Sequence, residues 1–511
     1  MNVEEILSQL LGPEADPVAA AYRLKELAGG DAATGIQILS QLAVRSAVLS
    51  KSDPAIVGTL LGITHTLLIQ PSESGPSRIG DLRGEVLAGI DRSLPENTSN
   101  RHLLLHLLAI ARTPETLSAL VARLSVKPPT QWMQGAQILS PLMQHDDWSV
   151  ETVFPAMLEC LSEPSLAASI LDLANFLVRS NRLEDHPAAD RVETLNMLLG
   201  GLALRLGSFE ENPRSFGDDL QTVQERLSES VALAVSLCDA LAIIGDPSSI
   251  GKLNQTLELK HRRVQCEAAG ALAKFDDEAG KKRLIELAEQ PAARLRAIHY
   301  ADELGLGDQI DDELRSDRKT AEAEMALWLS QPHQAGLPPT HVEVLETRRL
   351  LWPSFDNPID VTLVRFEYNS GDRLYSNVGL TGPTTFAMGC DLADLPVDDI
   401  FAIYAGWHAE HPDIFAVPRD AMNEAQLRVM ETYGQHLQHM GYDDIKPELL
   451  GLFLDERAGV FSATREETQC IVVTDGLETM DQATASRTRA MQPEDAFNLF
   501  KGRKMLRTFN A

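Results

Sequence analysis

The 511-residue chain is poor in aromatic side chains and in cysteine. Aromatic residues make up 5% of the chain although hydrophobic residues reach 44%, a level that is ordinary for a globular protein. The five cysteines are odd in number and widely spaced: Cys160, Cys238, Cys266, Cys390 and Cys470. This distribution is typical of a reducing compartment and argues against a disulfide framework.

Long apolar runs and a basic N-terminal segment are also missing. The first residues, MNVEEILSQLLGPEAD, are acidic where a secretory signal would be basic. No run reaches the roughly 18 uninterrupted apolar residues that a membrane helix requires. The formal charge of −29 repels phosphate backbones and anionic lipids. We therefore expect a cytoplasmic protein that binds neither nucleic acid nor membranes; the oligomeric state is left open.

Catalytic motifs are the third absence. The chain contains no His-Glu-x-x-His, no Gly-x-Ser-x-Gly and no calcium-binding loop. Residues 379–389 (GLTGPTTFAMG) are rich in Gly and Thr, and such a loop can hold an anion with its N–H groups. The loop lacks the lysine of a phosphate loop and the spacing of a dinucleotide fingerprint. A strand-to-helix connection is the favoured interpretation, and no cofactor is expected.

Two histidine pairs are the best candidates for metal ligands. His408 and His411 lie three residues apart on a predicted helix, and His436 and His439 do so on the next one. Residues three apart share a helix face, so two facing pairs would suit a zinc-like ion. The alternative places both pairs on solvated surfaces. We favour that alternative and expect no metal, because no cysteine lies near either pair in sequence.

Cys390 is the one cysteine that the pattern offers as a nucleophile. It lies in FAMGCDLADLP, between Gly389 and Asp391, where a flexible loop would expose it. A nearby histidine would have to accept its proton. A small buried side chain is the favoured interpretation, and the residues of any catalytic or cofactor site stay unknown from the sequence.

Two basic clusters and one tryptophan have possible binding roles. Residues 501–507 carry four basic side chains, which predicts either a solvated tail, the favoured interpretation, or docking on the chain's own acidic surface. Residues 260–263 (KHRR) lie at a predicted repeat junction, where exposed basic side chains are common. Trp352 follows the predicted linker directly and is a candidate for an interdomain contact.

Helical periodicity dominates the first part of the chain. Apolar residues recur at intervals of three and four in residues 36–49, 56–69, 103–111, 117–124 and 150–161. Pro, Asp, Ser and Thr separate these runs, as expected at helix boundaries. Residues 71–81 and 208–219 are polar and rich in turn residues, which predicts loops. Residues 1–230 are therefore predicted to be a helical array with irregular repeats.

A fixed step appears in the middle of the chain. Acidic turns recur at Asp246, Asp277 and Asp308, which are 31 residues apart, with an apolar helical run before each turn. A constant step of this size is typical of stacked helical hairpins, because one hairpin cannot bury its apolar faces alone. Residues 231–335 are therefore predicted to form helical repeats.

The residue pattern of these repeats resembles that of a known family. Gly245-Asp246-Pro247, and then Arg263-Val264 and residues 268–272 (AAGAL), resemble the short HEAT-like repeat of the phycobilisome-lyase type. That resemblance implies a pair of antiparallel helices in each unit. The Val-Arg arginine of the family is Gln265 here, and the second and third turns lack proline. The similarity covers about a fifth of the chain and therefore concerns the fold and not an activity.

The composition changes after about residue 335. The stretch HQAGLPPTH reads as a linker, and residues 360–368 and 373–380 alternate as two strands around the turn at Asn369-Ser370-Gly371-Asp372. Residues 397–410 and 423–440 are predicted helices, residues 451–461 and 469–474 are predicted strands, and a helix ends the chain. Residues 340–511 are therefore predicted to be an α+β domain, and the whole fold a mainly α-helical HEAT-like solenoid followed by that smaller domain.

These patterns favour a non-catalytic scaffold or adaptor whose helical-repeat surface binds a protein partner. The alternative is an enzyme, with either a lyase-like activity on a protein-bound chromophore, as the resemblance implies, or a hydrolase or transferase activity in residues 340–511. Against the enzyme stands the lack of any convergent nucleophile, base and orienting group in the sequence.

Overall fold

The computed structural model describes residues 2–11, 17–69, 82–331, 334–371, 373–389, 392–409, 411–453, 455–483 and 491–510. The chain divides into two compact units, Met1–Leu284 and Ile285–Ala511, which we call unit 1 and unit 2. The helical part and the following α+β part that the sequence predicts are both present. The division falls inside one helix, Glu278–Ala288, and the first strand begins later, at His341.

Unit 1 is built from α-helices with short 3-10 turns between them. The helices are α1 Val3–Leu10, α2 Pro17–Ala28, α3 Ala32–Val44, α4 Ser46–Leu49, α5 Pro54–Ile69, α6 Gly84–Arg92, α7 Arg101–Ala111, α8 Pro114–Val126, α9 Trp132–Gln144, α10 Pro164–Arg179, α11 Val192–Glu211, α12 Leu220–Ile244, α13 Ile250–Leu257, α14 Arg262–Lys274 and α15 Glu278–Ala288.

The helices of unit 1 pack in chain order. Helices α5, α7, α9, α10, α12 and α14 each contact the next one in this series, while α6, α7 and α8 and then α11, α12, α13 and α14 pack across it. Each helix buries a leucine-rich stripe with no exposure at Leu105, Leu139, Leu171, Leu237 and Leu272. This burial is the main stabilising contribution, about 1.5–3 kcal/mol for each fully buried leucine.

The acidic turns of the sequence lie between helices, as predicted. Gly245 ends α12 with φ +73°, a left-handed conformation that glycine adopts without a Cβ clash. The Asp246 side chain then accepts the N–H of Ser248, and Asp277 accepts the N–H of Gly280 at the start of α15. Carboxylates in these positions satisfy N–H groups that have no partner within the helix.

One buried carboxylate connects three helices of unit 1. Asp91 on α6 is 2% exposed, and its two oxygens accept hydrogen bonds from Arg101 on α7 at 2.6 and 3.0 Å. Arg123 on α8 donates a third bond at 2.6 Å. The side chains of both arginines are about one tenth exposed. A buried charge of this kind is tolerated because it is paired and hydrogen-bonded.

The predicted helix at residues 150–161 is wrong in type. The chain there forms two 3-10 helices, Val150–Thr152 and Ala156–Ser162. Pro155 lies between them and has no N–H to donate to an α-helical partner, which interrupts the ladder. The predicted loop at 208–219 is partly helical, since α11 continues to Glu211 and Pro213–Phe216 form a 3-10 helix. The predicted loop at 71–81 lies outside the described residues.

Helix α12 is the one described helix that is long and apolar enough to cross a membrane. Its mean hydropathy reaches 1.8, and 56% of its apolar window is buried inside the protein. The core helix of a globular protein has the same length and composition, so the pattern is weak evidence for a membrane span.

Unit 2 begins with helices and continues with two antiparallel sheets and three further helices. Its elements after α15 are α16 Pro291–Glu303, α17 Asp317–Leu329, β1 His341–Leu350, β2 Ile359–Ser370, β3 Arg373–Thr381, α18 Val397–His408, β4 Ile414–Pro418, α19 Glu424–His439, β5 Asp443–Phe453, β6 Glu456–Arg465, β7 Thr468–Thr474, β8 Thr479–Ala483 and α20 Pro493–Phe509. The first sheet has the order β1-β2-β3 and the second β4-β5-β6-β7-β8, each strand pairing with its neighbour in sequence.

The predicted β-hairpin is confirmed, with Tyr368 paired to Tyr375 across β2 and β3. The predicted helices at 397–410 and 423–440 match α18 and α19, although Glu410 and the turn residue Asp372 lie outside the described residues. The single strand predicted at 451–461 is wrong, because those residues contain the end of β5 and the start of β6. Strands β1, β4 and β8 were not predicted.

Helices α18 and α20 cross at very short range in the core of unit 2. A Cβ atom at Gly406 would overlap the carbonyl oxygen of Asn498, and one at Gly502 would overlap that of Ala402. Two glycines, one on each helix, therefore allow the two backbones to approach. Phe401, Tyr404, Phe497 and Phe500 surround the crossing and are at most 3% exposed.

Candidate functional site

The two histidine pairs do not form a metal site among the described residues, in which no group of three or more His, Cys, Asp and Glu could hold an ion. His408 Nδ1 accepts a hydrogen bond from the Trp352 indole at 2.8 Å, so it is not available to a metal. His436 and His439 are exposed on α19, and His439 Nδ1 donates to the carbonyl of Gln435.

The other candidates in unit 2 are Cys390, residues 379–389 and Trp352, and none of them forms a functional site among the described residues. Cys390 lies outside the described residues. Residues 379–389 comprise the end of β3 and the first part of its connection to α18. The N–H groups of Leu380 and Phe386 each donate to the other's carbonyl. Trp352, predicted as an interdomain contact, is instead 2% exposed within the hydrophobic core of unit 2.

The favoured prediction of a solvated basic tail is wrong, because α20 docks on acidic residues of unit 2. Arg503 pairs with Asp399 at 2.5 Å, and Arg507 pairs with Glu478 at 2.8 Å. Lys504 pairs with Asp475 and with Glu456. Lys501 is buried, at 5% exposure. The other basic patch, at 260–263, is only partly exposed, since His261 is half-buried.

A set of charged and polar side chains in unit 1 is the candidate functional site. We call it the polar cluster, and it comprises Asp172 and Arg179 on α10, Ser236 and Asp239 on α12, and Arg263 and Glu267 on α14. Ser236 Oγ donates to Asp172 Oδ1 at 2.6 Å, and Arg179 pairs with Asp239. The cluster lies on three successive helices of the packed series, so it extends across helix boundaries.

Asp172 has an unusual electrostatic position. It is exposed to solvent, yet desolvation is the largest influence on its carboxyl group and raises its pKa. The hydrogen bond from Ser236 and the charges of Arg263 and Arg179 oppose this rise, and Glu267 adds to it. Solvent therefore reaches the Asp172 carboxylate, and the groups around it also partly desolvate it. Such a group gains more from an incoming cation than a freely hydrated carboxylate does.

A chain of buried hydrogen bonds holds α10 against α12 beneath the cluster. His186 Nδ1 accepts the N–H of Ala188 at 3.1 Å, which places the ring proton on Nε2. Nε2 then donates to Asn175 Oδ1 at 3.0 Å, and Asn175 Nδ2 donates to the carbonyl of Ser236. This arrangement requires a neutral imidazole, because a second ring proton would displace the N–H of Ala188.

This network predicts acid sensitivity of unit 1. Burial lowers the pKa of His186 from 6.5 to about 4. Between pH 6.5 and pH 4 the His186 imidazole is protonated in the unfolded chain but stays neutral in the folded one. The free energy of unfolding therefore falls as the pH drops from 6.5 toward 4. We expect wild type to lose about 1–2 kcal/mol more than His186→Gln between pH 7 and pH 5, measured by chemical denaturation. His145→Gln, at an exposed position, should keep the wild-type pH dependence; an equal loss in all three proteins would contradict the role of His186.

The chemistry of the cluster suits recognition better than catalysis. Ser236 is 2% exposed and its hydroxyl is already bound to Asp172. Cys238, the nearest thiol in sequence, is fully buried, and desolvation raises its pKa well above its ordinary value. A thiol in this state is a poor nucleophile. The accessible groups of the cluster are therefore charges and hydrogen-bonding side chains, Asp172, Arg179 and Arg263.

The sequence analysis missed this site. One signal was present: Asp172, Asn175 and Arg179 occur at three- and four-residue spacing on the otherwise apolar α10, so they share one face. The contributions of α12 and α14 had no comparable signal, since Arg179 and Asp239 are 60 residues apart. Comparison with known proteins adds no assignment, because no family model, no curated protein and no solved structure matches the chain.

Proposed function

We propose that the protein is a scaffold or adaptor in which the helices of unit 1 act as HEAT-like repeats and bind a protein partner at the polar cluster. The single observation that carries the proposal is the exposed Asp172 carboxylate, which is bound to Ser236 of the next helix and lies beside the Arg179–Asp239 ion pair, on a surface to which three successive helices contribute. A repeat array presents such surfaces because each helix pair contributes a few side chains to one continuous face. The 31-residue step of the sequence supports the repeat interpretation.

The charges of the cluster define the partner's chemistry. Asp239 and Glu267 are buried, and Asp239 is already paired with Arg179, so Asp172 is the carboxylate of the cluster that a partner can reach. The whole chain carries a formal charge of −29, which attracts basic segments and accelerates their association. The partner is therefore a peptide segment with Lys or Arg side chains, one of which pairs with Asp172. Arg263 is exposed and is available to an acceptor on the same segment.

A selection from a random peptide library displayed on phage tests this proposal. Peptides that bind the full chain should be enriched in Lys and Arg, and calorimetry on the best of them gives the dissociation constant. We expect Asp172→Asn to weaken binding at least tenfold, because the amide keeps the shape of the carboxyl group but cannot pair with a cation.

The matched control is Asp190→Asn, which removes one exposed carboxylate of unit 1 outside the cluster. It should change the dissociation constant less than twofold, since a distant surface charge contributes only a screened field. Selected peptides without a basic bias, or basic peptides that bind Asp172→Asn as tightly as wild type, would reject the polar cluster as the binding surface.

The alternative proposal is an enzyme, and its two forms rest on different observations. A lyase-like action on a protein-bound chromophore rests on the HEAT-like motif alone. A hydrolase or transferase activity in unit 2 needs a pocket with convergent polar groups. The observation in its favour is a cavity beside the buried side chain of Lys501.

A further inference from the structure

A cavity of about 560 Å³ that is wide open to solvent lies in unit 2, between the end of α18, the start of β4 and the middle of α20. Six residues line it: Trp407, Ala409, His411, Pro412, Ile414 and Lys501. This volume falls in the range of small-molecule sites, roughly 300–1,000 Å³. The walls combine the apolar side chains of Trp407, Pro412 and Ile414 with polar groups, among them the cation of Lys501. A ligand with an apolar body and a single negative charge suits such a lining.

The aromatic wall of the cavity is held in place from behind. The indole of Trp407 stacks on the ring of Phe386, with centroids 4.0 Å apart and planes 5° apart. Trp407 is nevertheless 38% exposed, so part of its surface stays open. A fixed and partly open indole offers a ready contact for a flat apolar group.

Lys501 is the unusual member of the lining. It is 5% exposed, and its ammonium group lies 5.2 Å from the ring centre of Phe497. Among the residues that the structure describes, Arg503, Lys504 and Arg507 on the same helix all pair with carboxylates, whereas Lys501 has no hydrogen bond or ion pair. A buried cation without a counter-charge is unfavourable, because it has lost most of its water.

The charge state of Lys501 agrees with this position. Desolvation lowers its pKa from 10.5 to about 8, so the ammonium form still predominates at neutral pH. His411 supplies a second donor at the wall. Its Nδ1 accepts the N–H of Asp413 at 3.2 Å, so that the neutral ring carries its proton on Nε2.

We propose that this cavity binds a small organic carboxylate, whose anionic group pairs with Lys501 and whose apolar, ring-containing body lies against Trp407 and Ile414. The carboxylate supplies the counter-charge that the described residues do not provide, and charge-assisted hydrogen bonds of this kind are the strong ones. This site is independent of the polar cluster of unit 1.

The test uses 1-naphthoate as the probe and 1-naphthamide as its neutral analogue, with the full chain and isothermal calorimetry. Wild type should bind the acid at least tenfold more tightly than the amide, a comparison that requires no variant. Lys501→Met keeps the length of the side chain and removes its charge, and it should weaken binding of the acid at least tenfold while leaving the amide unchanged.

Two controls locate the site. Lys446→Met removes an exposed lysine of the same unit and should bind the acid as wild type does. Trp407→Leu should weaken both probes, since it removes the aromatic wall. Equal binding of acid and amide to wild type, or binding of the acid to Lys501→Met at wild-type strength, would overturn the proposal.

Discussion

Replacing Asp91 with asparagine should lower the free energy of unfolding of unit 1 by about 3–5 kcal/mol, the range for breaking a buried ion pair by removing one partner. The amide keeps the volume of the carboxylate, so no cavity forms. It leaves Arg101 and Arg123 as buried cations without a counter-charge, and its NH₂ group faces guanidinium donors. A domain is stable by only about 5–15 kcal/mol, so this loss would leave unit 1 marginal.

Urea denaturation followed by circular dichroism gives this quantity. Asp146→Asn, which removes an exposed carboxylate of the same unit, should change the free energy of unfolding by less than about 0.5 kcal/mol. A triple variant, Asp91→Leu with Arg101→Met and Arg123→Met, should recover most of the loss, because apolar side chains of similar size replace a buried ion cluster at little cost. An Asp91→Asn protein as stable as wild type would show that solvent reaches the side chains of Asp91, Arg101 and Arg123.

Replacing Gly502 with alanine should destabilise unit 2 by about 3 kcal/mol or more. The added methyl group would overlap the carbonyl oxygen of Ala402, and the atoms it meets are backbone atoms that cannot rotate away. Helices α18 and α20 would have to separate, which opens the packing of Phe401, Tyr404 and Phe500. Enlarging a residue in a well-packed core costs typically 1–3 kcal/mol, and a backbone overlap lies at the upper end or beyond.

The matched control for this prediction is Gly434→Ala in the middle of α19, where an added Cβ would lie 4.0 Å from its nearest neighbours, Ile445 and Phe461. There the substitution should be neutral or stabilising by up to about 1 kcal/mol, because alanine favours the helix and restricts the unfolded chain. Thermal denaturation of both variants provides the comparison. Similar midpoints for Gly502→Ala and Gly434→Ala would mean that the two helices are not in close contact.

The errors in the sequence analysis have identifiable physical causes. Residues 451–461 read as one strand because the apolar pattern continues on both sides of the turn between β5 and β6. Strand β1 was not predicted because four of the last five residues, ETRRL, are polar and fall on both faces, although they pair with β2 beyond a register shift at Leu345. The basic end of α20 read as a solvated tail because its acidic partners lie up to 104 residues away in sequence.

Local patterns were sufficient where one element decides its own structure. The three- and four-residue spacing of apolar residues predicted helices α3, α5, α7 and α8 of unit 1, and the alternation around Asn369 predicted the β2–β3 hairpin. These features depend on which face of a segment is apolar, and the order of residues alone encodes that face. The net charge of −29 also follows from the sequence alone.

Tertiary structure alone decided which polar side chains meet. Asp172, Asp239 and Glu267 come from three helices. Lys501 and Trp407 line the same cavity, although no pattern in either sequence segment predicts that they meet. A helical pattern predicts which face of a helix will be buried. It does not predict which other helix or strand packs against that face, because many elements could bury it equally well. The polar cluster and the cavity therefore arise only when long-range packing chooses among those partners and leaves particular charges desolvated.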